Sequence, residues 1–254
     1  MKDLFDLSGK VAVVVGGAGG IGRAIALGLA EYGADVAVAS RKLESLERVA
    51  NEIRALGRKA LAITVDVTQP QSVEDMVKDV LKAFPCIDIL VNSAGVIVRK
   101  PADTYPVSDW DLTMAVNSRG TFLCCQAVGR VMIKQRHGKI INISSNLGII
   151  AIPANYLAYD ASKGAVDSLT RTLACEWAKY NVLVNAIGPT GIETDFTREV
   201  LSDPAFAERI KANIPLGRWG QPEDIVGPAI FLASKASDFI DGQIIYVDGG
   251  ETIW

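Results

Sequence analysis

A tyrosine and a lysine stand four residues apart, at Tyr159 and Lys163, which places both side chains on one face of a helix. Oxidation of an alcohol needs a base, and a free tyrosine with a pKa of about 10 is a poor base at neutral pH. Bringing that pKa to neutrality takes about 4 kcal/mol of extra phenolate stabilisation. A lysine charge about 4 Å away supplies roughly that energy at an effective dielectric of about 20. The pair therefore predicts an acid–base group for alcohol or carbonyl chemistry.

Two serines, Ser144 and Ser145, follow the β-branched run Lys139–Ile143 and so end a predicted strand. Successive strand residues point to opposite faces, so only one of the two hydroxyls can enter a cleft. We expect Ser145 to hold the substrate oxygen against the tyrosine, with Ser144 as the alternative. Tyr156 lies nearby in the sequence, but Asp160 rather than a lysine follows it four residues later, so it is not the expected acid–base.

A glycine-rich segment at 15–22 follows the predicted strand Val11–Val15 and opens a predicted helix over Ile21–Glu31. Glycines at such a turn let the backbone approach a pyrophosphate, whose charge meets the free N–H groups of the helix N-terminus. The segment predicts a dinucleotide site, and the expected contacts are Gly16, Gly20, Ile21 and Gly22.

Strand and helix patterns alternate along the whole chain. The predicted strands are Val11–Val15, Val36–Ala39, Ala60–Val65, Ile87–Asn92, Lys139–Ser144, Val182–Ile187 and Gln243–Val247. The predicted helices are Ile21–Glu31, Leu43–Leu56, Ser72–Phe84, Trp110–Gln135, Ala158–Tyr180 and Glu223–Leu232. This alternation predicts an α/β fold: one doubly wound, Rossmann-type domain over residues 1–254, with a parallel sheet of about seven strands and helices on both faces. Ligands of such sheets bind at the carboxyl ends of the strands.

One long stretch, 188–222, is rich in Pro, Gly, Thr and charged residues and lacks a clear periodic pattern. Long loops inside compact domains are commonly lids, so we expect this stretch to cover the substrate.

The composition argues against several classes of binding partner. A formal net charge of −3 and the absence of a long basic run argue against nucleic acid and anionic membrane surfaces. The apolar runs are strand-sized and the N-terminus does not read as a signal peptide, so we expect a cytoplasmic protein. Four cysteines without C-x-x-C spacing and a single histidine predict no metal site.

Five short motifs follow one another in a characteristic order. They are Gly16-x-x-x-Gly20-x-Gly22, Asp66-Val67, Asn92-Ser93-Ala94-Gly95, Pro215-Leu216-Gly217-Arg218 and Val247-Asp248-Gly249-Gly250. Together with the tyrosine–lysine pair, this set resembles the short-chain dehydrogenase/reductase family over nearly the whole chain. The resemblance implies hydride transfer between a nicotinamide cofactor and a carbonyl or secondary alcohol, with a catalytic tetrad of Asn117, Ser145, Tyr159 and Lys163.

The same resemblance implies several further roles. Asn117 would hold a water that passes protons between Lys163 and solvent. Asp66 and Val67 would hold the adenine ring, and further cofactor contacts would come from Asn92, Ala94, Gly95, Tyr159, Lys163, Pro189, Ile192 and Thr194. Three positions depart from the family pattern, namely Val15 for Thr, Ser93 for the second Asn of N-N-A-G, and Thr190 for the Gly of a Pro-Gly pair.

The second predicted strand ends at Ser40-Arg41-Lys42, where an NAD-specific site usually carries an acid for the ribose 2′-hydroxyl. Cations at a helix N-terminus oppose the helix dipole, so they suggest a bound anion. Arg41 would bind the 2′-phosphate of NADP with its planar donors, next to Ser40. NADP is therefore favoured, and NAD is the alternative.

The segments Asp3–Lys10 and Val96–Ala102 and the Ser145-to-Tyr159 loop resemble gluconate 5-dehydrogenase-like members of the family. This likeness implies a sugar acid or polyol substrate, for which Arg99 is a candidate carboxylate partner beside Ser145. The alternative within the family is a 3-oxoacyl-acyl-carrier-protein reductase. A catalytically silent dinucleotide-binding sensor is an alternative of a different class.

An excess of apolar residues on the two long helices and at the C-terminus predicts a second buried surface. The residues concerned are Phe122, Leu123, Cys124, Leu169, Leu173, Trp177 and the segment Gln243–Trp254. A surface helix needs only one buried face, and symmetric pairing is the common way to bury another. In relatives these elements form the interfaces of a tetramer, so we expect a homotetramer.

Overall fold

Seven parallel strands form a single sheet in the computed structural model, which describes residues 2–253, without the side chains of Lys2, Asp3 and Glu199. The strands are β1 (Val11–Val15), β2 (Asp35–Ser40), β3 (Ala60–Thr64), β4 (Ile89–Asn92), β5 (Gly138–Ile143), β6 (Val182–Pro189) and β7 (Ile244–Val247). Their order across the sheet is β3-β2-β1-β4-β5-β6-β7. The direction of winding reverses between β1 and β4, where a doubly wound sheet opens its ligand crevice.

Helices cover both faces of this sheet. They are α1 (Gly20–Glu31), α2 (Leu43–Ala55), α3 (Pro70–Ala83), α4 (Val107–Met114), α5 (Gly120–Gln135), α6 (Leu157–Trp177), α7 (Arg198–Leu201), α8 (Pro204–Lys211) and α9 (Pro222–Ala233). One apolar cluster packs α1, α2 and α9 on one face, and another packs α3, α5 and α6 on the other. All five residues of β1 are buried, as expected for a parallel strand between two helical layers. The predicted fold is confirmed.

One predicted helix is wrong in its detail. The stretch Trp110–Gln135 is not a single α-helix, because α4 and α5 are joined by a π-helical turn at Ala115–Arg119. A π turn inserts one extra residue and redirects the side chains beyond it, and such turns are frequent at functional sites. Asn117 lies in the middle of this turn.

The stretch 188–222 is also more regular than its composition indicates. It begins inside β6, which continues to Pro189, and it contains α7 and α8. Asp203 caps α8 by accepting a hydrogen bond from the Phe206 backbone N–H, and Pro204 occupies the first helical turn, so the helix start has an ordinary local cause. Across the described residues, no helix is both long and apolar enough to cross a membrane.

Candidate active site

A cavity of about 280 Å³ opens at the carboxyl ends of the central strands. The start of α1 lines it on one side and α6 lines it on the other, with residues that follow β4, β5 and β6 between them. Of the predicted site residues, it collects Gly20, Ile21, Gly95, Ser145, Tyr159, Lys163, Pro189, Ile192 and Thr194. These positions are spread over more than 170 residues of sequence, and the sheet topology brings them to one edge.

The glycine turn is built for close backbone approach. Gly16 has a φ of +86°, and a Cβ there would lie 2.6 Å from the backbone N of Ala94. A Cβ on Gly22 would lie 2.2 Å from the carbonyl oxygen of Gly16. No side chain caps the α1 N-terminus at Gly19, and the first turn contains no acidic residue. The backbone N–H groups of this turn therefore suit the pyrophosphate of a dinucleotide.

Ser145, rather than Ser144, serves the tyrosine. The Ser144 hydroxyl donates a 2.5 Å hydrogen bond to Oδ1 of Asp167, away from the tyrosine. The Ser145 side chain is hydrogen-bonded to Tyr159 and lowers the pKa of that residue. Its Oγ also accepts a 3.1 Å hydrogen bond from the backbone N–H of Leu147, which fixes its orientation.

Lys163 lies beside the ring of Tyr159. Its Nζ donates a 2.8 Å hydrogen bond to the carbonyl oxygen of Ile143, at the end of β5, and lies 5.4 Å from the centroid of the Tyr159 ring. Burial raises the pKa of Tyr159 above its usual value and lowers the pKa of Lys163 to about 8. In the described residues burial opposes the lowering of the Tyr159 pKa that the lysine charge should produce, and that lowering stays a prediction. Both groups lose hydration when they are buried, and this loss disfavours the charged form of each.

Asn117 joins three elements that carry the site. From the π turn, its Nδ2 donates hydrogen bonds to the carbonyl oxygen of Val96 (2.9 Å) and to Oγ of Ser162 (3.0 Å). Its Oδ1 accepts a 2.8 Å hydrogen bond from the backbone N–H of Val96. The side chain is fully buried. It therefore ties the loop after β4 to the residue that precedes Lys163 on α6.

Comparison with known proteins adds the chemistry of relatives. A family model described as "Enoyl-(Acyl carrier protein) reductase" (adh_short_C2) matches residues 16–252. Gluconate 5-dehydrogenase of Gluconobacter oxydans is 41% identical over 251 residues, which cover 99% of this chain and 98% of that protein. NAD-dependent glycerol dehydrogenase of Listeria innocua is 43% identical over 249 residues, which cover 98% and 96%. The crystal structure of a gluconate 5-dehydrogenase from Burkholderia cenocepacia, in complex with NADP and tartrate, is 40% identical with a TM-score of 0.95 and covers 98% of each chain.

The chain belongs to the short-chain dehydrogenase/reductase family. It is an oxidoreductase acting on CH–OH groups, and the resemblance stated from its motifs is confirmed.

Several predicted cofactor residues of this dehydrogenase lie outside the cavity. Ser40 ends β2, and the exposed Arg41 follows it. Oδ1 of Asp66 accepts hydrogen bonds from the Thr68 backbone N–H (2.9 Å) and hydroxyl (2.7 Å). These hydrogen bonds lower the pKa of Asp66, and the nearby Arg41 charge adds to the effect. This group lies beyond the glycine turn, at the carboxyl ends of β2 and β3. Val67 is buried there, where a Cβ on Gly120 would meet its side chain at 2.8 Å.

Two predicted side chains do not reach the cavity of this dehydrogenase. The Asn92 amide is buried under the sheet edge, where its Nδ2 donates to Oδ1 of Asn142 at 2.9 Å. The Arg99 guanidinium stacks on the ring of Phe206 in α8, 5.3 Å from its centroid. Arg99 therefore contacts the lid in this structure rather than the cavity.

Other cavity residues were not predicted. Glu251, Asn146 and Thr190 form one polar wall, and the family departure at Thr190 was the only sequence signal for it. An apolar wall of the cavity includes Ile152, Phe196, Val200, Ile210 and Trp219. Most of these apolar residues lie in the stretch 188–222, where sequence alone does not show which side chains turn inward.

Proposed function

We propose that this enzyme transfers a hydride between the nicotinamide of NADP(H) and the carbonyl or secondary alcohol carbon of a sugar acid or polyol. The observation that carries the proposal is the placement of Ser145, Tyr159 and Lys163 in one cavity that continues into the glycine turn. The alcohol loses a hydride and a proton, and the cofactor, when bound, takes up the hydride. The protein has to move only the proton.

Tyr159 moves that proton. Its neutral hydroxyl protonates the oxygen of a carbonyl being reduced, and in the reverse direction the phenolate takes the proton of the alcohol. Ser145 holds the same oxygen by a hydrogen bond. Lys163 keeps a positive charge near the ring and returns protons to it, and Asn117 fixes the helix segment that carries Lys163.

The end of β2 supports NADP over NAD. Arg41 is exposed beside a strand end that carries Ser40 instead of an acid. Asp66, whose carboxylate is near enough to feel the Arg41 charge, accepts hydrogen bonds from Thr68. NADP is bound in the Burkholderia relative, whereas the Listeria relative is NAD-dependent, so NAD remains the alternative cofactor.

The substrate class follows from the relatives and from the polar wall. Gluconate and glycerol both present several hydroxyls, and Glu251, Asn146 and Thr190 line one side of the cavity. The apolar wall favours a second candidate, a 3-oxoacyl-acyl-carrier-protein reductase, whose acyl chain would lie against Phe196 and Trp219.

A substrate panel tests the proposal. Initial rates are measured with NADPH and with NADH against 5-ketogluconate, dihydroxyacetone and an acetoacetyl thioester. We expect NADPH with 5-ketogluconate to give the highest kcat/KM. A higher kcat/KM with the thioester would select the acyl reductase, and turnover with none of the three would contradict the assignment of the substrate class.

The cofactor preference has its own test in Arg41→Asp. Removing the cation and adding an acceptor should shift the NADPH-to-NADH ratio of kcat/KM by tenfold or more, which corresponds to about 1.4 kcal/mol. Arg48→Asp makes the same charge change at an exposed position further along α2 and should leave the ratio unchanged. A parent enzyme that already prefers NADH would show that Arg41 does not bind a phosphate.

Residues 188–222 act as the substrate lid in this proposal. They supply Ile192, Thr194, Phe196 and Val200 to the cavity, and Val200 packs in a small apolar cluster with Ala207, Ile210 and Trp219. Residues 1–254 act as one catalytic domain in the cytoplasm, in keeping with four cysteines that are all free thiols.

The active form is a homotetramer in this proposal, but two of the apolar residues expected at its interfaces do not lie there. Cys124 and Leu173 are buried in the core of their own chain and need no partner. Exposed apolar residues on α4, α5 and α6 support it instead: Leu112, Phe122 and Leu157. Sedimentation at micromolar concentration should show four chains, and a mass near 27.1 kDa would contradict the assembly.

A further inference from the structure

A buried glutamate, Glu251, lines the substrate cavity from the C-terminal end of the chain. The turn before it is formed by Gly249 and Gly250, whose φ values of +61° and +92° favour glycine. This turn directs the chain back from β7 towards β5 and β6. Only 7% of Glu251 is exposed, so its carboxylate has left water for the interior of the site.

Two neutral donors hold this carboxylate. Its Oε2 accepts a 2.7 Å hydrogen bond from Nδ2 of Asn146 and a second hydrogen bond from the Thr190 hydroxyl. Thr190 is the residue that replaces a glycine of the family pattern, so the departure supplies a donor. Among the described residues, no ion pair includes Glu251, and burial raises its pKa despite the two hydrogen bonds. A buried carboxylate with donors on one oxygen only has accepting capacity left.

The second oxygen provides that capacity on the cavity side. Oε1 of Glu251 has no hydrogen-bond partner in the described part of the chain. This oxygen is not fully buried there, so a group outside the protein can reach it. Because Glu251 lines the cavity, this oxygen is accessible from it.

Glu251 also lies close to the reacting centre. Asn146, which donates to Glu251, directly follows Ser145, and Oγ of Ser145 is 3.4 Å from Oδ1 of Asn146. The hydrogen bond to Glu251 turns the Asn146 amide so that its oxygen faces Ser145. A substrate whose carbonyl is held by Ser145 would place its neighbouring carbon near this wall.

We propose that Glu251 is a specificity-determining residue that accepts a hydrogen bond from a substrate hydroxyl on the carbon beside the reacting carbonyl. The inference rests on the proposed function for the hydride transfer and adds the identity of the neighbouring group. The carboxylate favours a hydroxyl at that position and repels a second carboxylate. The substrate class is therefore an α-hydroxy ketone or vicinal diol, and a sugar acid fits only when its carboxylate is remote from the reacting carbon.

The test compares two ketones that differ by one hydroxyl, 3-hydroxybutan-2-one and butan-2-one, in NADPH-dependent reduction. The parent should have a higher kcat/KM for the hydroxyketone. Glu251→Gln should lower the ratio of the two kcat/KM values about tenfold, since a hydrogen bond to a charged acceptor is stronger than one to a neutral amide. The variant should also gain activity with 2-oxobutanoate, whose carboxylate lies beside the reacting carbon.

Glu193→Gln is the matched control, because Glu193 is an exposed glutamate of the stretch 188–222 that does not line the cavity. It should leave the ratio unchanged. A purely structural role of Glu251 would lower kcat/KM for both ketones equally, so a ratio within about twofold of the parent in Glu251→Gln would overturn the proposal. Failure of the proposed function would look different, since the two ketones would still be discriminated while no sugar acid or polyol reacted.

Discussion

The sheet has one edge at the amino ends of its strands and one at their carboxyl ends, and buried charged groups have different surroundings at the two edges. At the amino ends of the strands, Asp88 is 6% exposed and accepts hydrogen bonds from the Val11 backbone N–H (2.9 Å), Lys10 Nζ (3.1 Å) and His137 Nε2 (2.8 Å). The Cys86 thiol donates to the same carboxylate. Burial alone would raise the pKa of Asp88, but these donors lower it below its usual value.

At the carboxyl ends, the balance is reversed. Burial raises the pKa of Tyr159 and of Glu251, and raises that of Asp160 to about 7, while it lowers the pKa of Lys163 to about 8. Oδ1 of Asp160 and Oδ2 of Asp167 are buried without a hydrogen-bond partner in the described part of the chain.

The difference indicates that the edge at the amino ends contributes to stability and that the edge at the carboxyl ends contributes to catalysis. A carboxylate surrounded by donors keeps its charge and holds β1, β4 and the α5–β5 connection together. Burial moves the pKa values of Lys163, Asp160 and Glu251 towards neutrality and that of Tyr159 away from it, and displaced pKa values of this kind are common at catalytic sites. Changes to the catalytic side chains at the carboxyl ends should therefore affect rate first, and changes at the opposite edge should affect unfolding first.

The largest effect should come from Tyr159→Phe. The ring remains and only the proton donor is lost, so turnover should fall about 10²- to 10⁴-fold, the range of general acid–base catalysis. NADPH affinity and the unfolding midpoint should stay close to those of the parent. Steady-state kinetics, fluorescence titration with NADPH and thermal unfolding measure the three quantities.

Tyr156→Phe is the matched control, because Tyr156 lines the same cavity with its ring centroid 6.3 Å from that of Tyr159. It should keep turnover within about tenfold of the parent, well short of the range expected for the proton donor. If Tyr159→Phe retained turnover within a few-fold, Tyr159 would not be the acid–base.

Asp88→Asn tests the opposite edge. The amide keeps the shape but loses the charge that accepts from Lys10 and His137, so the free energy of unfolding should fall by about 2–3 kcal/mol. Because the pKa of Asp88 is lowered by folding, the loss should be complete above about pH 5 and should shrink as the pH falls through the folded pKa. Chemical denaturation at several pH values measures it.

Asp79→Asn is the corresponding surface control, since Asp79 pairs with Lys82 on the exposed side of α3. It should change the free energy of unfolding by less than about 0.5 kcal/mol. A loss in Asp88→Asn no larger than this, or a fall in kcat at saturating cofactor while stability is kept, would remove the distinction between the two edges.

Gly22→Ala tests the backbone of the catalytic edge. A Cβ would lie 2.2 Å from the Gly16 carbonyl oxygen, so the glycine turn must shift, at a cost of about 1–3 kcal/mol in stability, with a weaker affinity for NADPH. Gly227→Ala in α9 adds its Cβ to open space and should stabilise the protein by about 0.5–1 kcal/mol. Equal effects of the two substitutions would contradict the close approach at Gly22.

The sequence predicts those features that depend on short-range pattern. The strand–turn–helix at Gly16–Gly22 and the Tyr159–Lys163 helix face both follow from spacing, and the parallel sheet follows from alternation. The pKa values of Tyr159 and Lys163 did not follow, because their desolvation depends on residues that converge from β5, β6 and the lid. Glu251 was missed for the same reason, since its donors lie 61 and 105 residues away in the chain.

The smallest effect should come from Asp160→Asn, which removes a carboxylate whose charged form is destabilised by burial. Folding raises the pKa of Asp160 to about 7 through burial, so the native state is relatively favoured below the unfolded pKa of about 4 and loses that advantage as the pH rises through the folded value. The variant should therefore be more stable than the parent at pH 8, by at most about 1 kcal/mol because the residue is partly solvated, and equal to it near pH 4. The Asp160 charge also raises the pKa of Tyr159, so the pH–rate profile of the variant should move slightly to lower pH. Thermal unfolding at both pH values and a pH–rate profile measure these shifts. A variant less stable than its parent at pH 8 would show that the Asp160 carboxylate has a partner in solution, which would bring the two edges of the sheet closer in behaviour.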